Sequence, residues 1–125
     1  MPLTQYMQKQ ILDYICGGAA ATRPASRFIS FASGTPTEAG ASDAPINARA
    51  SLDIAAASGT PSSATNRSAR SNATATANCT VFGWNMYDSA VGGTRLAYGT
   101  MTATFTVTNL GSVIMSAGRL IITIG

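Results

Sequence analysis

The side chains able to move protons or hold a metal are few in this chain, and they are scattered. Histidine is absent, which removes the commonest general base and metal ligand. Five carboxylates remain, Asp13, Glu38, Asp43, Asp53 and Asp88. No two of them stand at a spacing that forces a catalytic pair. Asp13 falls in a helical stretch, Asp43 in a loop, and Asp53 on the outward face of a strand. Asp88 opens a turn, where it can accept amide hydrogen bonds. Cys16 and Cys79 lie in different expected elements without CxxC spacing, which favours two buried apolar side chains over a disulfide or a metal pair. The GxSxG, Walker-type and dinucleotide-binding glycine patterns are missing, and Gly17-Gly18 and Gly92-Gly93 read as a helix stop and a hairpin turn. No enzyme, cofactor or metal site is expected.

The aromatic residues are the other chemistry on offer. Tyr87 and Tyr98 could stack a sugar or a peptide on the outside of a sheet. Trp84 shares an extended face with Phe82 and Met86, which places it in the core. Arg49, Arg95 and Arg119 read as outward strand residues, on a solvated face or in intersubunit ion pairs.

The elements that must position these residues are mostly strands. From Cys79 onward the chain alternates, with Phe82, Trp84 and Met86 on one face and Val81, Asn85 and Tyr87 on the other. DSAVGG (residues 88–93) turns the chain back. In the run that follows, the apolar phase changes at Gly99, which predicts a bulge or bend there. NLGS (109–112) predicts a turn, Val113 and Met115 a short strand, SAG (116–118) a further reversal, and residues 120–124 a closing apolar strand.

Upstream, residues 4–16 predict the one helix. Leu3, Met7, Ile11 and Ile15 form its apolar stripe, Thr4 can cap it, and Gly17 stops it. Three turns of helix are marginal alone, so the stripe must cover its own sheet or a neighbouring subunit. Residues 27–32 predict a strand and residues 34–45 a loop. Residues 46–55 predict a half-buried strand with Ile46, Ala48, Ala50, Leu52 and Ile54 inward. Residues 56–70 read as a flexible loop or an arm laid over a neighbour, and residues 71–77 as a weaker strand. The expected fold is mainly β: a small antiparallel β-sandwich or barrel-like domain (19–125) with one N-terminal helix (1–18), a single unit.

Charged residues make up 10% of the 125, against about 25% in typical soluble domains. Such a surface suits coverage by like copies or by a larger assembly. The net charge of +3 is too small and scattered to indicate nucleic acid. No basic region followed by an apolar run is seen, and no stretch approaches the ~18 apolar residues of a membrane helix. The Asn-X-Ser/Thr matches at Asn66, Asn72 and Asn78 read as chance in a Ser/Thr/Asn-rich chain.

The order of these pieces resembles a family of small tailed-bacteriophage structural proteins, found as capsid decoration (cement) or tail-associated components. A helix of the form TQYMQKQILDYICGG is followed by a strand, a Gly/Pro/Asp loop and a strand with a central Arg. The last part has the form VFGWNMYDSAVGGTRLAYGTMTATFTV…SVIMSAGRLIITI. The resemblance is most specific in Phe82-Gly83, Tyr87-Asp88 with Gly92-Gly93, Leu96-Ala97-Tyr98-Gly99 and Ser116-Ala117-Gly118. It implies a decoration protein on the outer capsid surface of the virion, assembled in the host cytoplasm. Its partners would be the major capsid protein and copies of itself, as a trimer bridging capsomers, with no direct nucleic acid and no membrane. A tail or neck component is the alternative, and a carbohydrate-binding module using Tyr87 and Tyr98 is a reading from another class. The contacts are expected from the helix stripe (Met7, Ile11, Ile15) and from Arg67 and Arg70 of the 56–70 segment.

Overall fold

The computed structural model describes residues 3–20, 24–40, 43, 44, 46, 49–54, 56–58, 63–67, 70, 71, 75–115 and 120–123. In chain order the elements are α1 (Gln5–Cys16), β1 (Phe28–Ala32), β2 (Ala50–Ser51), β3 (Ser63–Thr65), β4 (Arg70–Ser71), β5 (Cys79–Tyr87), β6 (Arg95–Val107), β7 (Ile114–Met115) and β8 (Ile121–Thr123). The main sheet has the order β2-β1-β5-β6, and β3-β8 and β4-β7 form two small antiparallel pairs. Leu3, Phe31, Leu52, Trp84, Leu96, Val113, Met115 and Leu120 are among the side chains that share one core. The fold is mainly β with one N-terminal helix, sandwich-like, and the main sheet does not close into a barrel.

The hairpin of β5 and β6 follows the sequence pattern closely. Asp88 Oδ1 accepts a hydrogen bond from the Thr94 amide at 2.7 Å. Gly92 and Gly93 take φ of +64° and +74°, a region where a side chain is strained. Gly99 lies directly opposite Trp84, and a Cβ there would sit 2.8 Å from the indole. Only glycine leaves room for the ring, which is 8% exposed and belongs to the core as expected. The expected irregularity follows at once. Gly83 pairs with Thr100 but Val81 pairs with Phe105, so Phe82 alone faces Met101, Thr102, Ala103 and Thr104. This bulge lifts Phe82 out of the core face, and it is 38% exposed. The simple alternation that grouped Phe82 with Trp84 and Met86 fails for that reason.

β1 pairs with β5 over its whole length, with Ile29 opposite Met86 and Phe31 opposite Trp84. These four buried side chains make the apolar face of the sheet. The opposite face carries Ser30 and Asn85, also buried, and is polar.

The segment 46–55 departs from the single strand expected. Among its described residues, Ala50 and Ser51 pair with β1. Ile46 bridges to Ala75 and Ile54 to Asn66, so the segment changes partner along its length. Of its expected inward residues, Ala50 and Leu52 are buried and Ile46 and Ile54 pack on the core, while Ala48 lies outside the described residues. Of the 56–70 segment, residues 63–65 form β3 and Arg70 enters β4. Its described strand residues are therefore sewn into the fold rather than free as an arm. Of the strand expected at 71–77, Ser71 lies in β4 and Ala75 in an isolated bridge, while residues 72–74 lie outside the described residues.

Thr4 caps α1 as expected. Its hydroxyl accepts from the Met7 amide at 3.4 Å, and Gly17 closes the helix at φ +69°. The helix is fastened to β6 at its start: Leu3 bridges Ala97 and the Thr4 amide donates to Leu96 O at 3.0 Å. Both cysteines are free thiols. The expectation that both are buried fails at Cys16, which is exposed at the far end of α1, while Cys79 is half-buried.

Candidate functional site

The polar face of the main sheet is where ionisable side chains converge. Ser30 lies on β1, Asn85 on β5, Arg95 on β6, and Thr37, Glu38 and Asp43 of the segment between β1 and β2 lie against them. Asp43 Oδ1 accepts from Ser30 Oγ at 2.9 Å and from Asn85 Nδ2 at 3.4 Å. Arg95 Nη1 donates to Asn85 Oδ1 at 3.1 Å, and its Nη2 donates to the carbonyls of Thr37 and, at 2.9 Å, Glu38. Glu38 Oε1 in turn accepts from the Gln5 amide at 3.0 Å. It supplies the negative charge that the first turn of α1 lacks and that a helix N-terminus favours. Pro36 is buried against Gly83, where a Cβ would come within 2.6–2.7 Å of its ring.

Each group here is occupied by another of the set. The carboxylate of Asp43 orients two side-chain donors, and the guanidinium of Arg95 clamps two main-chain carbonyls, as its fork of donors allows. The one hydroxyl described here beside a carboxylate, Ser30 on Asp43, is buried within the sheet face. Among the described residues no three His, Cys, Asp or Glu side chains gather as a metal site would need. The arrangement fastens loop 33–44 and the helix start to the sheet, a mechanical role.

The two tyrosines weighed as a stacking platform belong to the same face. The Arg49 guanidinium lies 3.5 Å from the centre of the Tyr87 ring, and that of Arg95 lies 4.6 Å from Tyr98. Arg49 Nη1 also donates to the carbonyls of Ser89 at 2.8 Å and Gly92 at 2.7 Å. One face of each ring is thus covered from within the chain. Burial, and secondarily the charge of Asp43, raise the Tyr87 phenol above its ordinary pKa, while Arg49 and Arg95 act in the opposite direction. Neither Arg49 nor Arg95 faces open solvent as the sequence suggested. No local spacing announces these contacts, since Arg49 meets Tyr87 only through tertiary structure. Arg119 lies outside the described residues.

The five expected contact residues are not brought together. Met7 and Ile11 are half-buried against the protein's own core. Ile15 is 70% exposed, next to Leu12 (60%) and Tyr14 (81%). Arg67 pairs with Asp53 at 3.4 Å, and its Nη2 donates to Ile54 O at 3.3 Å. Arg70 contributes its backbone to β4, opposite Met115. A shallow groove of about 390 Å³ runs along Phe105, Val107, Gly111 and Val113, with no charged side chain in its lining. No described helix is long and apolar enough to cross a membrane.

Comparison with protein families matches the chain to the family described as Podophage GP4 fiber I protein gp80, over residues 2–123. No curated protein matches the chain. The match covers nearly all of the sequence and accords with the absence of a catalytic constellation among the described residues. The protein is of the tailed-phage structural class.

Proposed function

We propose that this chain, which belongs to the podophage GP4 fiber I protein gp80 family, is a fibre-type, tail- or neck-associated component of a phage particle. The observation that carries the reading is the end-to-end family match, since a fibre protein is an appendage rather than a shell element. It favours the tail alternative of the sequence reading over capsid decoration. The structure agrees in kind: its converging polar groups hold loops in place, and its stacked tyrosines have arginines across one ring face. The role is mechanical. A small domain of low charge is repeated in a symmetric appendage, each contact is modest, and strength comes from many copies. Partners are then other virion proteins and further copies of the chain, with a trimer as the simplest closed form.

Quantitative mass spectrometry of purified particles tests this. A fibre or tail component is expected at a small fraction of the copy number of the major capsid protein. A copy number approaching that of the capsid protein would return the role to decoration, and absence from particles would remove both.

A further inference from the structure

We propose that Leu110 is a hook by which two copies of this chain join, each placing its Leu110 in the other's groove along Phe105, Val107, Gly111 and Val113. The turn that follows β6 carries the argument. Gly111 N donates to Thr108 O at 2.8 Å, so Asn109 and Leu110 are the two central residues. Leu110 takes φ of +68° and is the one described residue other than glycine at positive φ. This is the second central position of a type II turn, where glycine or asparagine is favoured and a bulky side chain is an outlier. The sequence has Asn109 just before that position and Gly111 just after it, yet places a leucine there. Leu110 is also 74% exposed, so burial within its own chain does little to offset the strain.

The turn is held in this form from outside. Leu110 N donates to Ala75 O at 2.9 Å, and Ala75 N donates to Gly111 O at 2.7 Å. Asn109 N donates to Asn78 Oδ1 at 2.7 Å. Strained residues fixed by their surroundings in this way cluster where a protein binds or clamps. The groove then selects the occupant. It is built on the same turn, because Thr108 and Gly111, on either side of Leu110 in sequence, line it together with Phe105 and the buried Val107 and Val113. A foreign partner could match the hook or the groove and leave the other half unused. A second copy related by a twofold axis matches both at once, since what one copy inserts the other receives. A closed ring would instead need hook and groove on different faces, so the contact joins copies in pairs. It does not depend on where in a virion the protein resides.

Sedimentation equilibrium of the full chain should show a reversible monomer–dimer equilibrium. Leu110→Asn should raise the dissociation constant by about tenfold or more. Measured where the chain is monomeric, the same variant should keep or raise the thermal midpoint, because asparagine tolerates the left-handed region. Thr106→Arg sets a long charged side chain into the groove from an exposed strand position and should weaken association as well. Mixed in equal amounts, the two variants should associate more tightly than either alone, because the mixed pair keeps one hook and one open groove to receive it. Val91→Asp, at an exposed apolar site on the β5–β6 turn, should leave association as it was. A monomer at every concentration overturns the proposal, as does association that survives Leu110→Asn. A midpoint lowered by Leu110→Asn would overturn it by giving the leucine to the fold, and a mixture no tighter than its components would remove the exchange. A wild-type monomer whose binding to particles is lost in Leu110→Asn would also overturn it, assigning the hook to a different protein.

Discussion

The β5–β6 hairpin and the stretch from 46 to 71 contribute to the same core by opposite means. In the hairpin, neighbours in sequence are neighbours in space. Asp88, Gly92 and Gly93 set the turn, Gly99 admits Trp84, and β1 then adds along residues 83–87 of β5. The middle stretch is paired within itself among its described residues at Ile54 with Asn66, and is otherwise held by Ala75, β1 and, through β3, by β8. One region carries its own register, and the other borrows much of it from strands far along the chain. Long-range pairing must overcome loop-closure entropy before its contacts form, so the middle depends on the hairpin sheet being in place.

Substitutions should separate the two. The largest effect is expected from Trp84→Ala, a buried aromatic truncated at the centre of the apolar face, at about 3–5 kcal/mol, seen as a large fall in denaturation midpoint. A shift under about 1 kcal/mol would place the ring outside the cooperative core. Gly83→Ala comes next. Its Cβ would meet the Gly99 carbonyl as well as Pro36, and backbone cannot retreat as a side chain can. About 1–3 kcal/mol or more is expected, with the loop 33–44 losing hydrogen-exchange protection first.

In the middle stretch the sensitive point is Asn66, 1% exposed, whose Oδ1 accepts the Leu120 amide at 3.0 Å. Asn66→Ala leaves that donor unsatisfied and should cost about 1–3 kcal/mol. Protection should be lost around β3 and β8 while β5 and β6 stay protected. Equal loss in the hairpin would deny the two regions separate roles. The smallest effect belongs to Arg67→Ala. Its ion pair with Asp53 is largely solvent-exposed, so chemical denaturation should register less than about 1 kcal/mol.

The same contrast governs how much was legible in the sequence. The helix with its Thr4 cap and Gly17 stop, the DSAVGG reversal and the irregularity beside Gly99 rest on local rules, and all were readable. Phe82 was misplaced because alternation cannot foresee the length of a bulge, here one residue against four. In the 46–55 segment the inward positions of Ile46, Ala50, Leu52 and Ile54 were legible and their pairing partners were not, because burial leaves a periodic trace and pairing partners do not. The polar cluster was invisible for a related reason. Asp43, Ser30, Asn85 and Arg95 are distant in sequence and meet only when the segment between β1 and β2 lies against the sheet. Of the expected contact residues, Met7 and Ile11 proved to serve the interior, and the exposed end of the stripe began at residues 12–15. A helical repeat predicts a stripe but not where the underlying sheet ends.

The central claim, that this is a fibre-type structural component and not a shell protein, is tested most directly by cryo-electron microscopy of intact particles. The account predicts density matching the β2-β1-β5-β6 sheet with its attached helix in an appendage of the tail or neck. The same density repeated over the capsomers of the head would contradict it.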